Sequence, residues 1–199
     1  MKQIFVFFLV LVLGIGIIAY AQPTQTAIVG TWEYTVVLDG ELMHTPELQH
    51  RSDFVLRYTF DEAGHYTISA DQAQTAVSAY ETLLTQFMVS GYYRIFRGEQ
   101  GIKGMDSTKA DELWESGEKA TAQEKAEAFL SELNLLDRYN ALCRSGDYYV
   151  QGDTLYLSKA EGGYDAYTLT IDQALTISAE DTAYENAGIR FPLTLTPSA

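Results

Sequence analysis

Hydrophobic and polar residues alternate along several stretches of this chain. Between residues 31 and 38 large apolar or aromatic side chains occupy every second position, and residues 54–60 repeat the pattern. A period of two is typical of a strand that buries one face. Residues 61–64, "DEAG", suit a turn, so we predict a hairpin leading to a third strand with Tyr66 and Ile68 on one face.

The hydrophobic period changes after residue 69. In residues 73–89 apolar side chains recur every three or four positions, which predicts an amphipathic helix that stops at Gly91. The next segment, "GYYRIFRG", is short and rich in aromatic residues, so we expect a strand over 92–97 and a loop over 98–105. Thr121 and Glu124 have capping-box spacing and predict a second helix, which Gly146 is expected to close.

Short alternating runs return from Asp147. Gly152 and Asp153 separate two of these runs and suit a tight hairpin turn. "GGYDAYTLTIDQALTIS" repeats the scheme, and "IRFPLTLTP" supplies a last strand. The predicted fold is mainly β, an antiparallel up-and-down barrel of about eight or nine strands, with a helical insertion of two main helices at 71–146 between its halves.

The first 21 residues have the composition of a signal peptide. Lys2 precedes an apolar run over residues 4–18, and the run ends in "AYA". We expect cleavage before Gln22, which would leave residues 22–199 as a single exported domain in the periplasm, the cell envelope or the extracellular space. An uncleaved membrane anchor is the alternative, although the apolar run is shorter than the ~20 residues that a spanning helix needs.

The charge of the chain narrows the range of partners. Acidic residues outnumber basic ones by 27 to 13, and the formal net charge is −14. This charge repels phosphate backbones and anionic lipid surfaces, so we expect neither nucleic acid nor a membrane as a partner. Cys143 is the only cysteine, so no internal disulfide can form and packing must supply the stability.

Catalytic signatures are missing from the sequence. A Gly-x-Ser-x-Gly motif does not occur, and the glycines of "GEQGIKG" lack the Lys-Ser/Thr of a phosphate-binding loop. We therefore expect a protein that is not an enzyme and that carries no cofactor and no metal site. His44, Glu47 and His50 leave one alternative open, because two imidazoles and a carboxylate could bind zinc or copper if they are not simply solvated loop side chains.

Four strings resemble the bacterial lipocalin-like (calycin-type) β-barrel domains: "VGTWEYT", "YTFDEAGHYTIS", "GDYYVQGDTLYLS" and "YTLTIDQALTIS". The resemblance covers residues 27–69 and 147–196. It implies that Gly30 and Trp32 form the element at the closed end of the barrel, with Arg190 as the candidate for the arginine that packs across the indole. The helical insertion is not part of a minimal barrel of this kind.

Two functions follow as expectations. The first is binding of a small hydrophobic or amphipathic molecule inside the barrel without catalysis, since tyrosine combines an apolar ring with a polar tip. Strand alternation places the expected ligand-binding residues on the inner face, and they are Trp32, Tyr34, Leu56, Tyr58 and Tyr66. The alternative is an envelope or secreted protein-interaction or structural module that contacts a partner through the helical insertion.

Overall fold

A computed structural model of the protein describes residues 25–38 and 53–198. The leader and the loop with His44, Glu47 and His50 lie outside the described residues, so the expectations for them stay predictions. No helix within the described ranges is long and apolar enough to cross a membrane.

Eight antiparallel strands form a closed barrel in which each strand pairs with the next along the chain. Pairing of the first strand with the last closes the sheet. The strands are β1 (Gly30–Val37), β2 (Asp53–Phe60), β3 (His65–Asp71), β4 (Arg144–Gln151), β5 (Thr154–Ser158), β6 (Tyr164–Ile171), β7 (Leu175–Ser178) and β8 (Leu193–Pro197). The predicted mainly β, up-and-down barrel is confirmed.

Alternation along the strands builds the core inside the barrel. Trp32 stands opposite Tyr58 on β2, and Tyr58 stands opposite Ile68 on β3, so one inward layer runs across three strands. All three side chains are buried. The same register places polar residues such as Glu33 and Arg57 opposite each other on the outer face, where they form an ion pair.

The barrel has two distinct ends. Asp71 ends β3 and Arg144 begins β4 at the end from which the helical insertion leaves, which we call the arm end. Gly30 begins β1 and Pro197 ends β8 at the opposite end, which we call the terminal end. A short helix between β7 and β8 lies at the arm end.

Five α-helices occur in the described residues, four of them between β3 and β4. They are α1 (Ala73–Ile102), α2 (Ser107–Leu113), α3 (Lys119–Leu133), α4 (Leu135–Asn140) and α5 (Thr182–Asn186). A short π-helical segment, Trp114–Glu118, joins α2 to α3, and the backbone leaves helical geometry there at Gly117.

The predicted strand over 92–97 is wrong, and the loop predicted over 98–105 is shorter, because α1 continues to Ile102 and only residues 103–105 of that segment lie outside the helix. The aromatic side chains that suggested a strand pack on another helix instead, since the rings of Tyr93 and Phe96 lie 5.2 and 5.6 Å from the ring of Trp114. This packing offsets the helix-propensity cost of about 1 kcal/mol for each glycine in α1. The barrel consequently has eight strands.

The predicted boundaries of the second helix are also wrong. Asp106, not Thr121, caps a helix start, since its carboxylate accepts hydrogen bonds from the backbone N–H groups of Thr108 and Lys109. Thr121 lies inside α3, where its hydroxyl donates to the Gly117 carbonyl oxygen. The helix ends at Leu133, with Asn134 in the left-handed conformation as its cap, and Gly146 lies within β4.

Gly30 and Trp32 lie at the terminal end, as the resemblance implies for the closed end of a barrel. Gly30 has a φ of 138°, which favours glycine, and the indole N–H of Trp32 donates to the Ile28 carbonyl oxygen over 2.8 Å. Arg190 is exposed and precedes β8 at the arm end, whereas Trp32 pairs with Pro197 at the other end of that strand.

Replacing Trp32 with alanine tests how much the barrel depends on this indole. We expect Trp32→Ala to lower the free energy of unfolding by about 3–5 kcal/mol, because it leaves a cavity between packed strands. Urea denaturation followed by far-ultraviolet circular dichroism measures the change. The exposed Ile102 provides a matched control, and equal effects of Trp32→Ala and Ile102→Ala would show that the indole is not an essential part of the core.

Candidate functional site

The residues expected to bind a ligand all lie on the inner face of β1, β2 and β3. Leu56, Tyr58 and Tyr66 are at most 1 % exposed, Trp32 is 9 % exposed, and Tyr34 is half-buried. A cavity large enough for a ligand would leave solvent-accessible surface on the side chains around it, even if it were closed to the outside. Other side chains therefore fill the space around Leu56, Tyr58 and Tyr66.

A polar network lies inside the arm end of this core, centred on Arg144. One nitrogen of the guanidinium donates to Asp165 over 2.6 Å, and another donates to the hydroxyl of Tyr167 over 2.5 Å. The Tyr167 hydroxyl in turn donates to Asp181 over 2.8 Å, and Asp181 lies 4.0 Å from the guanidinium. Lys159 adds a second cation 3.6 Å from Asp165, so two carboxylates balance two cations, and the side chain of Arg144 is only 26 % exposed.

A pair of tyrosines continues the polar interior beside this network. The hydroxyl oxygens of Tyr58 on β2 and Tyr184 on α5 are 2.8 Å apart. Burial raises the pKa of Tyr184 to about 12, and it also raises the pKa of Tyr58 well above the ordinary value. Both phenols stay protonated at neutral pH, so each can act as donor or acceptor to its neighbour.

The network fixes α5 over the arm end of the barrel. The carboxylate of Asp181 accepts a hydrogen bond from the Ala183 backbone N–H and so caps α5, while its other oxygen accepts from Tyr167 on β6. Arg138 on α4 donates to the Asn186 carbonyl oxygen at the far end of α5. The helix α5 therefore lies over part of the arm end, where the inward side chains of Arg144 and Asp165 remain 26 % and 28 % exposed.

Sequence reasoning did not single out Arg144, Asp181 or Tyr184. The sequence contains one signal for Arg144, namely a charged residue on the inward face of a strand. Arg144 lies two residues before Gly146 and four before Tyr148 in the alternation of β4. A charged residue on an inward face predicts a buried partner. Identifying that partner requires the pairing of β4, β5 and β6, which is not local in sequence.

A helical arm extends beyond the barrel core, and we define it as residues 89–126. The helix α1 has 30 residues and is about 45 Å long, but Met88 is its last hydrophobic residue that packs against the main core, which joins the barrel interior and the bases of the helices. The arm has a small core of its own, in which Trp114 is surrounded by Tyr93 and Phe96, and Ala122 and Ala126 are buried. A surface groove of about 420 Å³ opens beside Trp114.

The arm carries an open stripe along α1. Gly91, Ile95, Gly98 and Ile102 follow one another at spacings of four, three and four residues, which places them on one face of the helix. Ile102 and Ile95 are 89 % and 62 % exposed, the largest values for large hydrophobic residues in the described ranges. A Cβ atom added at Gly91 or Gly98 would meet no atom within 4 Å, so this face has no neighbour within the described chain.

The remaining candidate residues, His65 and Cys143, lie outside both the Arg144 network and the helical arm. His65 Nδ1 is 2.7 Å from Asp147 on the exposed outer face of the barrel. Cys143 is exposed, and partial burial raises the pKa of its thiol, which makes it a poor nucleophile. Within residues 25–38 and 53–198 no three His, Cys, Asp or Glu side chains are grouped so that they could hold a metal ion.

No family model, no curated protein and no solved structure matches this chain. The closed antiparallel barrel of eight strands is consistent with the lipocalin-like resemblance of the sequence.

Removing the Arg144 guanidinium should destabilise the barrel. Arg144→Ala removes a donor to Asp165 and to the Tyr167 hydroxyl and leaves only Lys159, 3.6 Å from Asp165, as a cation beside the two carboxylates. We expect the free energy of unfolding to fall by about 2–4 kcal/mol. Arg57 is the matched control, because it also contacts two carboxylates, Glu33 and Asp71, but on the outer face where its side chain is 39 % exposed.

Arg57→Ala should cost about 1 kcal/mol or less, since exposed ion pairs contribute little. Denaturant unfolding of both variants under the same conditions measures the difference. Equal losses would contradict the conclusion that the Arg144 network is a specific part of the interior.

Proposed function

We propose that this protein is an exported, lipocalin-like barrel that acts as a scaffold for protein interaction, without catalysis, and that the helical arm is its binding surface. One observation carries the proposal, namely the open stripe of Gly91, Ile95, Gly98 and Ile102 on α1. Exposed large aliphatic side chains on one face of a helix are typical of surfaces that dock another helix or groove. The glycines leave room for a partner backbone to approach closely.

The barrel supports the proposal because its core anchors the helix that carries the arm. Its inward side chains pack the interior around Leu56, Tyr58 and Tyr66, and the proximal half of α1 is buried against that packed core through Val77, Tyr80 and Leu84. The distal half continues the same helix beyond the core. A rigid display of a binding face lowers the ordering cost of association.

Site-specific photo-cross-linking tests the arm as the binding surface. A photoreactive phenylalanine analogue is introduced at Ile95 or at Ile102, and separately at Tyr164, which is 48 % exposed on the barrel exterior. We expect one discrete cross-linked product from the two arm positions in the cells that produce the protein, and none from Tyr164.

A second change makes this experiment specific. Ile95→Asp should abolish the product formed from position 102, while circular dichroism stays unchanged because the side chain is exposed. The absence of any product from the arm positions, or equal products from all three, would overturn the proposal.

Binding of a small hydrophobic or amphipathic molecule inside the barrel is the second proposal, and the polar network favours it. Arg144 together with the hydroxyls of Tyr58, Tyr167 and Tyr184 forms a polar interior of a kind that fixes the orientation of an amphipathic ligand. Such a ligand would have to displace side chains from the packed part of the interior around Leu56, Tyr58 and Tyr66.

Native mass spectrometry distinguishes this second proposal from the first. A protein that binds a ligand should carry one additional mass when purified from its producing cells, and organic extraction should release it. Recovery of the polypeptide mass alone would exclude a ligand that is retained through purification and would leave the arm as the only proposed binding surface.

A further inference from the structure

A second groove lies beside the base of the arm, between α1, α3 and α4, and we call it the base groove. Its volume is about 490 Å³, which lies within the size range of binding sites in proteins. Leu130 and Leu135 contribute to its lining and are 7 % and 4 % exposed, so its deepest part is apolar. The groove belongs neither to the barrel interior nor to the open stripe on α1.

The polar lining of the base groove carries negative charge without compensation. Glu81 on α1 and Glu127 on α3 line it, and neither a lysine nor an arginine does. Within the described residues neither carboxylate takes part in an ion pair. The Glu127 carboxylate accepts one hydrogen bond, from the neutral side chain of Gln123 on its own helix.

Two hydroxyl groups of the groove, those of Thr82 and Thr85, add further acceptors beside the lining side chains of Ser78, Ser131 and Asn134. Thr82 donates its hydroxyl hydrogen to the Ser78 carbonyl oxygen over 2.8 Å, and Thr85 donates to the Glu81 carbonyl oxygen over 2.9 Å. Because each donor hydrogen is used within α1, the threonine oxygens have only lone pairs to offer a ligand. Carboxylates and acceptor hydroxyls around an apolar floor suit a cation with several N–H donors on an apolar stem.

We propose that the base groove binds a basic segment of a partner protein, with an arginine or lysine between Glu81 and Glu127 and an adjacent apolar side chain on Leu130 and Leu135. Charge complementarity selects this occupant, since the groove has two carboxylates and no cation, in a chain of net charge −14 that repels acidic segments. The inference rests on the proposed function and adds the chemistry of the segment recognised.

Peptide binding to the purified protein tests the assignment. The probe is the blocked tripeptide Ac-Arg-Leu-Arg-NH2, and its uncharged counterpart replaces both arginines with citrulline, which has nearly the same shape. Nuclear magnetic resonance should show amide shifts of Leu130, Ser131 and Leu135 with the arginine peptide only. Raising the salt concentration from about 0.05 M to about 0.5 M should weaken the binding, because it screens the charges.

Isosteric variants locate the site. Glu81→Gln and Glu127→Gln should each weaken binding by about two- to fivefold, the range expected for a solvent-accessible charge pair. Glu124→Gln is the matched control, because it removes the same charge from the exposed surface of α3 outside the groove. Equal weakening by all three variants, equal binding of the citrulline peptide, or shifts confined to the barrel would overturn the assignment.

Two further outcomes separate this inference from the function on which it rests. If photo-cross-linking from Ile95 and Ile102 yields a product that Glu81→Gln and Glu127→Gln leave unchanged, and the peptide does not bind, the groove assignment fails while the arm proposal stands. A second copy of the chain is the remaining candidate for the occupant of the groove. Sedimentation of the protein alone, as a function of concentration, tests for it. Self-association that Glu81→Gln abolishes would identify a second copy and overturn the assignment to a partner segment.

Discussion

Closure of the sheet by β1 and β8 is the constraint on which the rest of the structure depends. Trp32 and Glu33 pair with Pro197 and Thr196, so the last strand of the chain completes hydrogen bonding for the first. Because the sheet is closed, the buried inward side chains of its eight strands belong to one core cluster. The depth of burial of Leu56, Leu155 and Leu195, each 0 % exposed, is a result of this closure.

The exposed apolar and uncompensated acidic features of this protein lie outside the barrel. The polar groups that do lie inside are satisfied by one another, because Arg144 engages Asp165 and Tyr167, and Tyr58 engages Tyr184. Outside, the helical insertion carries the features that intramolecular contacts leave unused: an aliphatic stripe and an acidic groove with an apolar floor. The packed barrel and the exposed surface features are thus separate parts of one chain.

Local patterns in the sequence predicted the barrel well. Each strand has period-two alternation over four to eight residues, and the turn at residues 61–64 has its own turn-forming side chains, so neither needs information from elsewhere in the chain.

Predictions failed where distant residues decide the local structure. Residues 92–97 have strand-like composition, yet Trp114, which is about twenty residues away along the chain, makes the helix more favourable by packing on Tyr93 and Phe96. The Arg144 network joins residues from β4, β6 and the start of α5, and the base groove joins three helices. Sites of this kind depend on tertiary pairing, and one sequence without its pairing does not contain them.

The continuity of α1 also has a mechanical consequence. One uninterrupted helix has its first half in the barrel core and its second half in the arm, with no proline between Ala73 and Ile102. A hinge therefore cannot form between scaffold and arm without breaking backbone hydrogen bonds of that helix. The direction in which Ile95 and Ile102 point is therefore tied to the orientation of the barrel through this one helix.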